Sequence, residues 1–207
     1  GAETLCLALN AQAPVTVRVN TLATTRESCQ RALSGEGVGV SATTLSPLGL
    51  ILEKRVAVGA LAPFRSGWCE LQDEGSQLIG LLLGAQAGER VVDACAGGGG
   101  KSLLMAATME DCGEILAIDN KEQRLKDLPE RMRRDGVSII RTAGADRDTE
   151  IIAGWRGSAD AVLVDAPCTG SGTLRRNPGL RLRLSRELVA EMNAVQRRIL
   201  LDAADLV

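Results

Sequence analysis

Four consecutive glycines, at 97–100, separate a strand-like apolar run at 90–94 from a helix-like run at 101–109. Strand, glycine bend and helix in direct succession form the unit of a parallel α/β sheet, with the bend at the carboxyl edge of the strands, where ligands sit. The alternation continues along the chain. Helices are expected at 72–83, 101–109, 121–135 and 185–206, and strands at 90–94, 114–118, 137–141 and 160–164. Gly136 falls just past the last turn of the charged third helix, a position that favours glycine. The last helix is amphipathic, with Leu188, Met192, Val195, Ile199 and Leu206 on one side. Alternating helices and strands predict a doubly wound parallel sheet over 63–207.

Residues 1–62 read differently. The run 15–19 alternates like a strand, 25–33 reads as a helix ending before Ser34-Gly35, and short β-like runs follow at 37–40, 48–52 and 56–58. A small α+β domain is expected there, joined to the second domain by a hinge at 63–67. The run 3–9 resembles the tail of a helix, so the natural protein is expected to begin earlier.

Three ligands compete for the glycine loop. Gly100-Lys101-Ser102 ends like a phosphate-binding P-loop, but that pattern requires glycine where Cys95 stands. Gly97 and Gly99 match the first two glycines of a dinucleotide fingerprint, and Ser102 occupies the place of the third. S-adenosylmethionine (AdoMet) is the third. It has no pyrophosphate, so it needs a tight backbone bend and carboxylates for its ribose and amino group. Asp119 ends the second strand 19 residues after Gly100, where an acidic residue can take a ribose hydroxyl.

A second dense stretch follows the apolar run 161–164. It reads Asp165-Ala166-Pro167-Cys168-Thr169-Gly170-Ser171-Gly172-Thr173-Leu174-Arg175-Arg176-Asn177-Pro178. A buried strand ending in Asp165 delivers one carboxylate to the sheet edge. Cys168 stands beside the stiff Pro167, Gly170 and Gly172 permit close backbone approach, and Arg175 and Arg176 are cations suited to phosphate.

This stretch resembles the signature of the RsmB/Sun (Fmu) family of AdoMet-dependent RNA cytosine-5 methyltransferases. Arg18-Val19-Asn20-Thr21-Leu22, Gln72-Asp73-Glu74-Gly75-Ser76-Gln77 and Asp93-Ala94-Cys95-Ala96-Gly97-Gly98-Gly99-Gly100-Lys101 match further family motifs in the same order. The resemblance implies a Rossmann-like class I methyltransferase sheet preceded by a small α+β RNA-recognition-like domain. It implies AdoMet contacts at Cys95, Ala96, Gly97, Gly98, Gly99, Gly100, Lys101, Asp119 and Asp165. Asp146, near the end of the third strand, is expected to reach the adenine, with Asp148 as its competitor. Asp165 is expected to hydrogen-bond the target cytosine, Cys168 to assist release of a covalent intermediate, and Lys101 to order the site. Arg175 and Arg176 are expected to meet RNA phosphate. The family's loop usually carries Pro where Gly98 stands. Its nucleophile lies in a Thr-Cys-Ser motif on the next strand, which the sequence to Val207 does not contain. The segment is therefore expected to be C-terminally truncated and inactive alone. Ribosomal RNA, most plausibly 16S, is favoured over tRNA as substrate; a non-catalytic relative that binds RNA or ribosome precursors is the alternative.

Composition sets the outer limits. Net charge is −2, so the chain is not globally basic, but seven arginines stand against two glutamates between 175 and 198. Such a stripe can serve phosphates locally. Arg131, Arg133 and Arg134 form a second basic cluster. Phe64, Trp68 and Trp155 are too few for a base-stacking platform. The six cysteines include no Cys-x-x-Cys pair and there is no histidine, so no metal is expected. Their pattern suits reduced thiols in a cytoplasmic protein. No run reaches the roughly 18 apolar residues of a membrane span, and no signal peptide is visible. A monomer is expected.

Overall fold

The computed structural model describes residues 1–207 and contains two four-stranded sheets. α1 (Ala2–Asn10) leads into β1 (Val15–Val19), α2 (Arg26–Gly35), β2 (Val40–Ala42), β3 (Gly49–Leu52), the short α3 (Ala62–Arg65) and β4 (Cys69–Leu71). The four strands pair antiparallel in the order β2-β3-β1-β4. Val17, Val19, Leu50, Leu52 and Cys69 share a core with Cys29 and Leu33 of α2. Thr25 caps α2 by accepting from the Ser28 amide at 3.2 Å. The α+β unit expected over 1–62 extends past that limit, because its edge strand β4 comes from 69–71. Residues 56–58 form no strand; Val58 opens a 3₁₀ turn instead.

The second unit runs α4 (Glu74–Leu82), β5 (Arg90–Asp93), α5 (Gly100–Thr108), β6 (Glu114–Asp119), α6 (Glu122–Leu125), α7 (Leu128–Asp135), β7 (Ile140–Gly144), α8 (Thr149–Ala153), β8 (Ala161–Leu163) and α9 (Arg186–Ala204). Its strands are all parallel, in the order β7-β6-β5-β8. Successive side chains of a strand point to opposite faces. Accordingly Ile115 and Ala117 of β6 enter a core with Leu103, Met105 and Leu128, while Leu116 and Ile118 enter another with Trp155 and Leu206. Both faces are covered, as a doubly wound sheet requires. The order reverses at β5, which places a crevice beyond its carboxyl end.

Two details depart from the sequence expectation. The helix expected over 121–135 is divided into α6 and α7, with Pro129 in the first turn of α7, where a missing amide costs nothing. The third strand ends at Gly144, three residues beyond its expected end. Ser185 precedes α9 and caps it by accepting from the Leu188 amide at 3.1 Å. No helix is long and apolar enough to cross a membrane.

A charged seam joins the two units. Asn20 Nδ2 donates to the carbonyls of Gly67 and Asp135, both at 2.8 Å. Arg18 is 1 % exposed and donates from Nε to Gln72 Oε1 at 2.6 Å. Burial lowers its pKa to about 10, opposed by the nearby Asp135. Glu70 of β4 pairs with both Arg131 and Arg134 of α7. The cluster Arg131, Arg133 and Arg134, read from the sequence as a phosphate stripe, is thus mostly committed to this seam. Arg131 and Arg134 are 23 % and 18 % exposed and have an internal carboxylate, leaving only Arg133 on the surface.

Candidate active site

A cleft of about 620 Å³ lies over the carboxyl ends of the parallel strands. Its wall includes Cys95 from the glycine loop, Asp119 from β6, Asp146 after β7, and Asp165, Pro167 and Cys168 after β8. Four separate segments therefore converge because each strand ends at the same edge.

The glycine loop is built by backbone conformation. Gly97 and Gly99 have φ of +57° and +78°, the left-handed region where a side chain is strained. A Cβ at Gly99 would also lie 2.4 Å from Leu128 Cδ1. Asp119 braces the loop: its carboxylate is 4 % exposed and accepts from the Gly97 amide at 2.9 Å and the Lys121 amide at 2.8 Å. Arg124 Nη1 stands 3.6 Å from the same carboxylate. From the other side Arg131 donates to the Gly98 carbonyl.

Beneath the loop, Ser102 donates to Asp93 Oδ2 at 2.7 Å, while Asp93 Oδ1 is buried with no partner. Burial pushes this carboxyl above its usual range. Lys101, 13 % exposed, extends from the first turn of α5 and pairs with Asp165 Oδ2 at 2.7 Å. Burial, and then Asp93, Asp119 and Asp165, push the Cys95 thiol up to about 11. Cys95 is consequently a protonated thiol at neutral pH. Cys168 is exposed on the cleft wall, its sulfur accepting from the Gly170 amide at 3.4 Å. Gln196 of α9 donates to the Pro167 carbonyl at 2.9 Å and ties the helix to this loop.

Asp146 and Asp148 separate cleanly. Asp146 lines the cleft. Asp148 accepts from the Gly144 amide at 2.8 Å and pairs with Arg147, contacts that hold its carboxyl below the usual range. Arg175 and Arg176 do not line the cleft. They border a second hollow of about 480 Å³ with residues 10–16 and 71–73. Arg175 donates to the carbonyls of Ala11 and Gln12 at 3.1 and 2.8 Å, and Arg176 grips Asp73.

Asn120, Arg124, Arg198 and Asp202 line the cleft and were missed by sequence reasoning, Arg124 being the one that also faces Asp119. The signal for Arg124 was a cation five residues beyond Asp119, at the start of the next helix. Val195 and Ile199, expected as a packing stripe, also line the cleft.

Four carboxylates, Asp119, Asp146, Asp165 and Asp202, outnumber the cleft's two arginines, Arg124 and Arg198, and around a glycine bend they suit hydroxyl and cationic groups better than polyphosphate. AdoMet, with ribose hydroxyls, an amino group and a sulfonium cation, fits this donor set.

Comparison with known proteins agrees. Residues 80–207 match the family model described as 16S rRNA methyltransferase RsmB/F, and residues 1–59 match the ferredoxin-like domain that accompanies it. Ribosomal RNA small subunit methyltransferase B of Pseudomonas syringae is 32 % identical over 199 residues, covering 96 % of this chain and 44 % of the relative. The human 28S rRNA (cytosine(4447)-C(5))-methyltransferase is 33 % identical, over 94 % of this chain and 24 % of its own length. The crystal structure of PH0851 superposes with a TM-score of 0.90 at 35 % identity, over 97 % of this chain and 46 % of that one. The chain thus spans less than half the length of these relatives. The chain carries a ferredoxin-like antiparallel unit followed by a parallel α/β methyltransferase sheet, and it belongs to the RsmB/F family of AdoMet-dependent rRNA cytosine-5 methyltransferases.

Proposed function

We propose that the protein to which these residues belong methylates carbon 5 of a cytosine in small-subunit ribosomal RNA. The observation that carries this reading is the Lys101–Asp165 pair at 2.7 Å, sharing one cleft with Cys168 and the glycine loop. AdoMet, when bound, supplies an electrophilic methyl group. The residues of loop 95–101 hold it, with Asp119 on the ribose and Asp146 towards the adenine.

Carbon 5 of cytosine is a weak nucleophile. Addition of a thiolate to carbon 6 makes carbon 5 enamine-like and able to accept a methyl group. The base must leave its stack to reach the cleft. The Asp165 carboxylate orients the base by accepting from the cytosine 4-amino group, and Lys101 Nζ, 2.7 Å from that carboxylate, offsets the negative charge that develops on the ring. After the methyl transfer leaves S-adenosylhomocysteine, the carbon 5 proton passes to water, its electron pair re-forms the 5,6 double bond and the carbon 6–sulfur bond breaks to free the thiolate, with Cys168 assisting this release. In this reading the attacking thiol belongs to the Thr-Cys-Ser motif of the family. Cys95 is poorly suited to attack, since its environment favours the protonated form. Arg175 and Arg176 meet RNA phosphate at the second hollow, which they border.

The test uses the full-length protein with ribosomal RNA. Cys168→Ala should permit attack and methylation but stall release, leaving a covalent protein–RNA adduct stable to denaturing electrophoresis. Normal turnover with no trapped species would remove Cys168 from the release step.

A further inference from the structure

The glycine loop is held from outside by contacts that neither cofactor nor substrate requires. Leu128 and Arg131 lie three residues apart on α7 and so share a face. Leu128 is fully buried against Gly99, and Arg131 donates from Nη1 to the Gly98 carbonyl. The same guanidinium reaches back to Glu70 of β4, with Nη2 at 2.9 Å and Nε at 3.4 Å. Glu70 is 3 % exposed and belongs to the antiparallel sheet. Asn20 of that unit also fixes the end of α7 through the Asp135 carbonyl. At Gly67 the two units touch so closely that a Cβ would lie 2.1 Å from the Arg134 carbonyl oxygen. α7 is therefore clamped to one unit and presses on the loop of the other.

Four successive glycines lose more conformational freedom on ordering than any other sequence of that length. A loop of this kind needs an external partner of fixed direction. A guanidinium forked onto a buried carboxylate has such a direction, and an ammonium does not. We propose that Arg131 is a positioning residue. Through the Glu70–Arg131–Gly98 chain the antiparallel unit sets the conformation of the cofactor loop, and so raises cofactor affinity without touching the cofactor. The proposal rests on the reading of 95–101 as the AdoMet loop.

The experiment compares full-length wild type with Arg131→Ala, Arg131→Lys and the double variant Arg131→Ala/Gly98→Ala. S-adenosylhomocysteine affinity is measured by calorimetry well below each melting temperature, and amide exchange is followed at 97–100. Arg131→Ala should weaken binding about tenfold and accelerate exchange in the loop but not in β5 or β6. Arg131→Lys should behave alike. Gly98→Ala narrows the loop's freedom; its Cβ, otherwise 3.3 Å from Arg131 Nη1, fits once that side chain is gone. The double variant should therefore regain at least half of the lost affinity on a logarithmic scale. A lower melting temperature with wild-type affinity and loop exchange would overturn the proposal, as would loss of affinity without rescue by Gly98→Ala. If Arg131→Ala fails to fold, Arg131→Lys decides on affinity and exchange alone. Failure of the wild type to bind S-adenosylhomocysteine would instead sink the cofactor reading itself.

Discussion

Replacing Asp119 by Ala tests the brace and the cofactor contact separately. The carboxylate is 4 % exposed and accepts two backbone amides, Gly97 at 2.9 Å and Lys121 at 2.8 Å. A hydrogen bond to a charged group contributes about 1.5–3 kcal/mol. The two bonds share one carboxylate and are not additive, so the loss should be about 3 kcal/mol. At this chain length each kcal/mol moves Tm by about 2–4 °C, which gives a fall of about 6–12 °C. Loss of the ribose acceptor should further weaken S-adenosylhomocysteine binding by about 10- to 100-fold. Asp119→Asn keeps one acceptor oxygen and should lose about half as much stability. Thermal denaturation reads the first effect and calorimetry at 15–20 °C below the lowest Tm, roughly, reads the second. A Tm within about 2 °C of wild type would refute the brace. Wild-type affinity in the Ala variant would remove Asp119 from the cofactor site, whatever its Tm.

Asp93 is buried, and burial raises its carboxyl, so its ionised form costs stability in the folded state. Asp93→Asn should raise Tm at neutral pH. The gain should shrink as pH falls through the raised folded pKa towards the ordinary carboxylate range, because the wild-type group then protonates; a gain that grows on acidification would contradict this. Arg175→Ala/Arg176→Ala should weaken RNA binding and flatten its salt dependence while leaving S-adenosylhomocysteine affinity unchanged. Superimposable salt titrations would assign both arginines to their internal partners Ala11, Gln12 and Asp73.

The parallel unit was legible because its strands are buried on both faces. Val91-Val92 and 115–118 therefore read as continuous apolar runs, and the glycines between β5 and α5 mark the bend. β4 escaped notice because three residues, Cys69-Glu70-Leu71, are too few for a period, and its central glutamate looks like a surface residue. Glu70 is buried only because Arg131 and Arg134 reach it from 61 and 64 positions away, and spacing of that order leaves no local trace. The same cause explains the misread arginine cluster. A cation's partner decides whether it faces phosphate or protein, and that partner is set by the fold. Which of Asp146 and Asp148 lines the cleft likewise turned on a backbone amide, Gly144, that only the loop geometry brings within reach of Asp148.

The seam between the two units has an evolutionary consequence. Arg18, Glu70 and Asp135 are each at most 4 % exposed, and Glu70 finds its cations, Arg131 and Arg134, only across the boundary. A chimera that exchanged the antiparallel unit for another protein's would strand at least one of these charges in a dry interface, at a cost of several kcal/mol. The units are therefore not interchangeable modules. Drift on one side of the boundary is constrained by the other, so change at the buried face of the first unit must carry compensating changes in α7.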